Sequence, residues 1–121
     1  MKLIIAGTRT IQVSPEDFMS LLNLHKIYYL NISEVVSGGA IGVDLSGENF
    51  ANIFGFKLKK FPADWETHGK AAGPIRNKQM AEYADALLLI WDGKSKGSTN
   101  MKTQMIKLKK PVYEIIINSV L

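Results

Sequence analysis

The sequence predicts a single α/β domain in three layers, with a mostly parallel five-stranded sheet between helices. Three observations carry that expectation. Short apolar runs alternate along the chain with segments of helical period, the pattern of successive β-α-β crossovers. Residues 3–6, within a strand expected over 2–6, and residues 86–91 are continuously apolar instead of alternating, as strands buried on both faces are. Glycine-bearing segments at 7–10, 37–42 and 92–97 fall where those strands should end.

Taken in order, residues 2–6 form a first buried strand. Ser14, Pro15, Glu16 and Asp17 then read as a helix start, with serine as N-cap, proline at the first helical position and acids in the first turn. Phe18, Leu21, Leu22 and His25 recur at helical spacing, which carries that helix to about Tyr29. Residues 34–37 are a second strand. Val43, Leu45, Phe50, Ile53 and Phe54 mark a second helix that Gly55 closes. Residues 56–61 alternate apolar side chains with lysine, as a half-exposed strand at or near the sheet edge does. Residues 62–74 have no clear period and read as a long loop. A helix over 75–83, the strand 86–91, a loop over 92–97, a helix over 99–108 capped by Ser98 or Thr99, and a last strand over 111–117 complete the chain.

A length of 121 residues allows one core, so residues 1–121 are expected to form one domain without a separate substrate domain. Hydrophobic residues at 46% and charged residues at 21% exclude a disordered chain. There is no cysteine, which rules out disulfides and thiolate metal sites and makes a cytoplasmic setting the default. No apolar run approaches the length of a membrane span. His25 and His68 form no metal-ligand pair, so no metal and no cofactor are expected. The net charge of +4 suits anionic partners, with lysines gathered at 57–60 and 94–110. Most of those lysines read as a solvated surface.

The strand-end loops hold the candidate ligand-binding residues. Gly7, Thr8 and Arg9 offer close backbone approach, a hydroxyl and a bidentate fork for phosphate. Ser37, Gly38, Gly39 and Gly42 free backbone amides toward an anion at a helix start, where Asp44 either steadies the helix dipole or holds a ribose. This spacing is neither the dinucleotide fingerprint nor a P-loop. Asp64 and Trp65 open the long segment, and Trp65 either stacks on a base or covers the core edge. Lys70, Arg76 and Asn77 gather around a helix start, where they would hold phosphate or sugar oxygens. Trp91, Asp92, Gly93, Ser95, Lys96, Gly97, Ser98 and Thr99 make a second anion cradle beyond the central strand. Asp64, Glu66 and Asp92 are the loop carboxylates available for acid-base work. No catalytic triad is evident.

Together these stretches, with Met80 and residues 84–86, resemble the SLOG superfamily, which includes the Smf/DprA DNA-processing proteins and the LOG cytokinin-activating enzymes. The resemblance runs in order from Gly7 to about Met105 and is greatest to the small stand-alone YspA-like branch. It implies a Rossmann-like nucleotide-binding domain. LOG enzymes carry a Pro-Gly-Gly-x-Gly-Thr-x-x-Glu loop whose glutamate supports cleavage of an N-glycosidic bond. In this chain that position is filled by Asn100 or Met101, so the resemblance does not extend to the hydrolase activity, while Arg76 matches an arginine near the LOG active site.

The expected function is therefore binding, sensing or sequestering of a phosphate-bearing nucleotide derivative such as an ADP-ribose-type signal. In that reading Arg9, Arg76 and Lys96 neutralise phosphate, Asp44 or Asn77 holds ribose, and Trp65 or Trp91 stacks on the base. A LOG-like nucleotide phosphoribohydrolase is the alternative. Binding of single-stranded nucleic acid through the lysine clusters is a second alternative. Phe56, Phe61, Val112, Tyr113 and residues 115–117 supply apolar surface that suggests a homodimer or higher homo-oligomer.

Overall fold

The computed structural model describes residues 1–117. Five strands, β1 (Lys2–Gly7), β2 (Glu34–Ser37), β3 (Lys57–Lys60), β4 (Ala86–Trp91) and β5 (Val112–Ile116), form one sheet in the order β3-β2-β1-β4-β5. Every pairing is parallel, so the sheet is wholly rather than mostly parallel. The chain winds outward from β1 through β2 to β3, then returns to the other side of β1 with β4 and β5. This reversal leaves a crevice beyond the carboxyl ends of β1 and β4, where open α/β sheets take their ligands.

Alternation along the buried strands divides the core in two. Leu3, Ile5, Val35, Leu88 and Ile90 pack with Phe18 and Leu22 of α1 (Pro15–Leu24) and with Val43 and Phe50 of α2 (Val43–Phe54). Ile4, Ala6, Leu87 and Leu89 pack on the other face with Met80 and Ala81 of α4 (Ala72–Tyr83) and with Met101 and Met105 of α5 (Lys96–Lys107). Gly47 lets α2 settle on β1, because a Cβ there would stand 2.7 Å from Ile5 Cγ2.

Three helix boundaries differ from those read off the sequence. The first helix ends at Leu24 and not near Tyr29. Lys26 takes a left-handed φ of 58°, and the Ile27 amide donates back to the Leu22 carbonyl at 2.8 Å, so the chain turns without the glycine that usually marks such an end. The segment 62–74 is largely helical: α3 (Trp65–His68) and a 3-10 turn at Gly69–Ala71 lead into α4, which starts at Ala72. Pro74 lies in that first turn, where its missing N–H costs no intrahelical bond. The last helix begins at Lys96, with Ser95 rather than Ser98 or Thr99 at its N-cap.

The basic residues are partly structural. The Lys110 ammonium donates to the carbonyls of Ala81 and Ala84, each at 2.7 Å, and so closes the carboxyl end of α4. Lys102 pairs with Glu114 at 2.9 Å. The surface expected to support a homodimer is largely used within the fold. Phe56, Tyr113 and Ile115 pack against one half of the core, and Phe61 and Val112 against the other, leaving Ile116 and Ile117 as the exposed part. No helix of the described residues is long and apolar enough to cross a membrane.

Candidate functional site

The crevice beyond β1 and β4 is a cavity of about 410 Å³. Gly7, Thr8 and Arg9 reach it from β1, Asp44 from α2, Arg76 and Asn77 from α4, and Asp92, Ser95, Lys96, Gly97 and Ser98 from the β4–α5 connection. Ala6, Thr10, Ala40, Met80 and Met101 complete its lining.

A relay of hydrogen bonds joins the two loops that frame this cleft. The Asp92 amide donates to Thr8 Oγ1 at 3.0 Å. The Ser95 hydroxyl donates to Asp92 Oδ1 at 3.0 Å, so the Thr8 hydroxyl supplies its own proton to Ser95 Oγ at 3.1 Å. Asp92 Oδ1 also accepts the amides of Lys94 and Ser95, each at 2.9 Å, and these donors hold its carboxyl below the usual range. Gly93 supplies the left-handed residue of this turn, with φ 80°. Asp92 therefore organises the turn and is poorly suited to take up a proton at neutral pH. Because the Ser95 hydroxyl is drawn to Asp92, no side chain caps α5. The amides of its first turn, those of Lys96, Gly97 and Ser98, are left without a side-chain cap, and these three residues line the cleft at the positive end of the helix dipole.

The loop between β2 and α2 behaves differently from the anion cradle expected there, because it satisfies its own amides. The Gly39 amide donates to Ser37 Oγ at 3.1 Å, the Ala40 amide to Asp44 Oδ2 at 3.3 Å, and the Val43 amide to the Thr8 carbonyl at 3.3 Å. Gly42 is needed because the β1–α1 connection crosses it: φ is 83°, and a Cβ would stand 2.5 Å from Thr8 O. Ser37 in turn donates to Glu48 Oε2 at 2.8 Å, and Glu48 pairs with Lys60 at 3.3 Å. Glu48 is a buried carboxylate that sequence reading missed. Its spacing of one helical turn from Asp44 was the available signal.

The charged groups of the cleft are unequally matched. Arg76 donates from Nη1 to the Gly38 carbonyl at 2.6 Å and from Nε to Asn77 Oδ1 at 3.0 Å. Gly38 makes room for it, since a Cβ would stand 2.6 Å from Arg76 Nη1. Burial pulls the Arg76 guanidinium below its ordinary pKa, Asp44 offsets this, and the neighbouring charge of Arg9 adds to the depression. Asp44 is 5% exposed. Burial pushes its carboxyl up to about 6, against the opposing effects of the Ala40 amide, Arg76 and the Gly7 amide. Glu48 adds to the rise. The two ion pairs formed among the described residues use neither Arg9 nor Arg76. Arg9 is exposed at the rim.

Other expected ligand residues stand elsewhere or are already engaged. Asn77 lines the cleft, but its side-chain amide donates to the Gly97 carbonyl at 3.2 Å and to Asn100 Oδ1 at 3.1 Å. Asn77 thereby ties α4 to α5. Trp91 is buried and donates from Nε1 to Glu114 at 2.7 Å, and it does not line this cleft. Asp64 caps α3 through the Thr67 amide at 3.1 Å. Lys70 lies exposed in the turn before α4, and Thr99 bonds the Ser95 carbonyl at 3.0 Å from the outer side of α5. Among the described residues no group of His, Asp or Glu is arranged to hold a metal ion.

Fold and cleft define an α/β protein with a polar, net basic crevice at the topological switch point of a parallel sheet. No family model matches the chain, and no solved structure matches it significantly. It is 36% identical over 86 residues to the "Gene 61 protein" of Mycobacterium phage D29, across 64% of this chain and 67% of the phage protein. The chain belongs to the family of that phage protein.

Proposed function

We propose that the protein binds a phosphate-bearing, nucleotide-derived ligand in the cleft beyond β1 and β4, with ADP-ribose as a representative of the class. The observation that carries this reading is the meeting, in one cavity, of the uncapped start of α5 with two arginines and Lys96. Bringing Arg9 beside a partly buried Arg76 costs electrostatic free energy that an arriving anion would recover. The resemblance to SLOG proteins supports a nucleotide as the source of that anion. Asp44 stands at the cleft wall, where it would accept a ribose hydroxyl, a role the engaged Asn77 is less free to take.

Binding fits the side chains better than hydrolysis. Asp64 caps a helix, Asp92 Oδ1 accepts two amides and the Ser95 hydroxyl, and Asn100 bonds Asn77 in the region matching the LOG glutamate. Arg9 is the discriminating position because no ion pair holds it in the fold. Arg9→Ala is expected to keep the melting temperature and to weaken ADP-ribose binding about ten- to a hundredfold by calorimetry, the worth of a charge-assisted hydrogen bond to phosphate. Unchanged affinity in that variant, or wild-type protein that binds oligonucleotides and no nucleotide, would remove this reading.

A further inference from the structure

A second cavity, of about 330 Å³, lies against the cleft. Arg9, Ala40 and Arg76 line both, so the two arginines stand on the wall the cavities share. The far side of the second cavity is Pro62, Ala63 and Trp65, with Lys60 also in its lining.

Trp65 is 52% exposed, although the other tryptophan, Trp91, is 6% exposed. Its backbone is nevertheless held. It is the first residue of α3, whose start is held by the Asp64 cap. Its ring edge, at Cη2, lies 3.5 Å from where a Cβ on Gly73 would stand, against the first turn of α4. The sequence thus presents a large flat apolar ring on a braced support beside two guanidinium groups. Leaving an indole this exposed forgoes much of the hydrophobic stabilisation that burying it would bring. The arrangement suits a planar aromatic ring carried by an anion.

The cleft and this cavity also provide two places for negative charge. One is the Arg9–Arg76 wall and the other is the start of α5 with Lys96. A ligand with a single phosphate engages one of them while its base takes the other lobe. A ligand with two linked phosphates engages both.

We infer that the ligand is a nucleoside diphosphate or a derivative of one, lying across both cavities with its base against Trp65 and its two phosphates on the Arg9–Arg76 wall and at the start of α5. Any group on the second phosphate extends into the cleft beneath Thr8 and Asp92. This assignment rests on the nucleotide reading of the cleft and adds the number of phosphates and the place of the base.

The test is a calorimetric titration of wild type, Trp65→Phe, Trp65→Ala and Arg9→Ala with AMP, ADP and ADP-ribose, with tryptophan fluorescence followed in parallel. ADP and ADP-ribose are expected to bind wild type about tenfold or more tightly than AMP, from the second charge-assisted contact. Both should quench the exposed indole. Trp65→Ala should lose the quench and about fivefold or more in affinity for ADP-ribose, while Trp65→Phe keeps most of the affinity because a phenyl ring still stacks. Equal binding of AMP, ADP and ADP-ribose, or full affinity in Trp65→Ala, overturns this inference. If Arg9→Ala still weakens binding in that case, the cleft reading stands without it. No binding of any of the three nucleotides overturns both.

Discussion

Gly7→Ala is expected to cost more than about 3 kcal/mol and to leave little folded protein at 37 °C, beyond the usual range for an overpacked core. The added Cβ would stand 1.7 Å from the Ile90 carbonyl oxygen, 2.8 Å from its carbon and 2.9 Å from Val43 Cγ2. The first two atoms are backbone of β4, paired in register with β1 through Gly7 and Ile90, and no rotamer change can move them. The Thr8 amide donates to the same carbonyl at 3.2 Å, so a displaced β4 would also disturb the loop that frames the cleft. Gly97→Ala is the matching control. A Cβ at Gly97 meets nothing within 4 Å, so the fold should keep its stability. Urea denaturation of the two variants should separate them widely, and equal midpoints would contradict this account of Gly7.

The second large effect concerns protons. Asp44 is the group of the cleft whose protonation changes near neutral pH, with its carboxyl raised to about 6 by burial. An unfolded aspartate ionises near pH 4. Below that pH both states are protonated and the residue is neutral in its effect. As pH rises from about 4 to 6 the unfolded chain releases its proton first, so stability falls. Above about 6 the folded protein carries the full penalty, roughly 3 kcal/mol from the pKa difference. Asp44→Asn keeps an acceptor for the Ala40 amide and removes the charge. The variant should therefore match wild type near pH 4 and exceed it by up to about 3 kcal/mol at pH 7.5 in chemical denaturation. An anion bound beside Arg76 should raise the carboxyl further, since a second negative charge disfavours the ionised form. ADP-ribose has no phosphomonoester, so its own phosphates do not titrate in this range. Its binding should take up a proton near pH 6.5, weaken as pH rises, and become pH-independent in Asp44→Asn. The other charges facing this carboxyl are Arg76 from α4 and Glu48 from α2. A variant less stable than wild type at pH 7.5, with no proton uptake on binding, would contradict this role for Asp44.

The fold was legible because its signals are local. Continuous apolar strands, alternation at the lysine-bearing edge strand and a glycine after α2 each act over a few residues. Errors arose where a local rule met a tertiary demand. The chain turns after α1 through a left-handed lysine because Ile27 must reach the core, and nothing in the side chain of Lys26 announces that. The aperiodic composition of residues 62–74 reads as a loop, yet Pro74 sits inside the first turn of a helix that begins earlier.

The site was legible in its outline but not in its allocation of roles. In the sequence, Gly7, Gly38 and Gly42 read as freeing the backbone for a ligand. Their missing side chains instead admit the Ile90 carbonyl, the Arg76 guanidinium and the Thr8 carbonyl. The β2–α2 loop looked like an anion cradle because glycine content does not reveal which amides are already spent on Ser37 and Asp44. Conversely, the openness of the α5 start depends on Ser95 turning its hydroxyl toward Asp92, a long-range matter that Thr8 completes across the sheet.

The central claim is that this helix start receives a ligand phosphate, and amide chemical shifts on addition of ADP-ribose test it most directly. The account expects the largest shifts in the ¹⁵N–¹H spectrum at Lys96, Gly97 and Ser98, with smaller ones at Thr8, Arg9 and Trp65 and little change at Lys57 and Lys59. Shifts centred on Lys57, Lys59 and Lys60, or none at the start of α5 under saturating ligand, would contradict it.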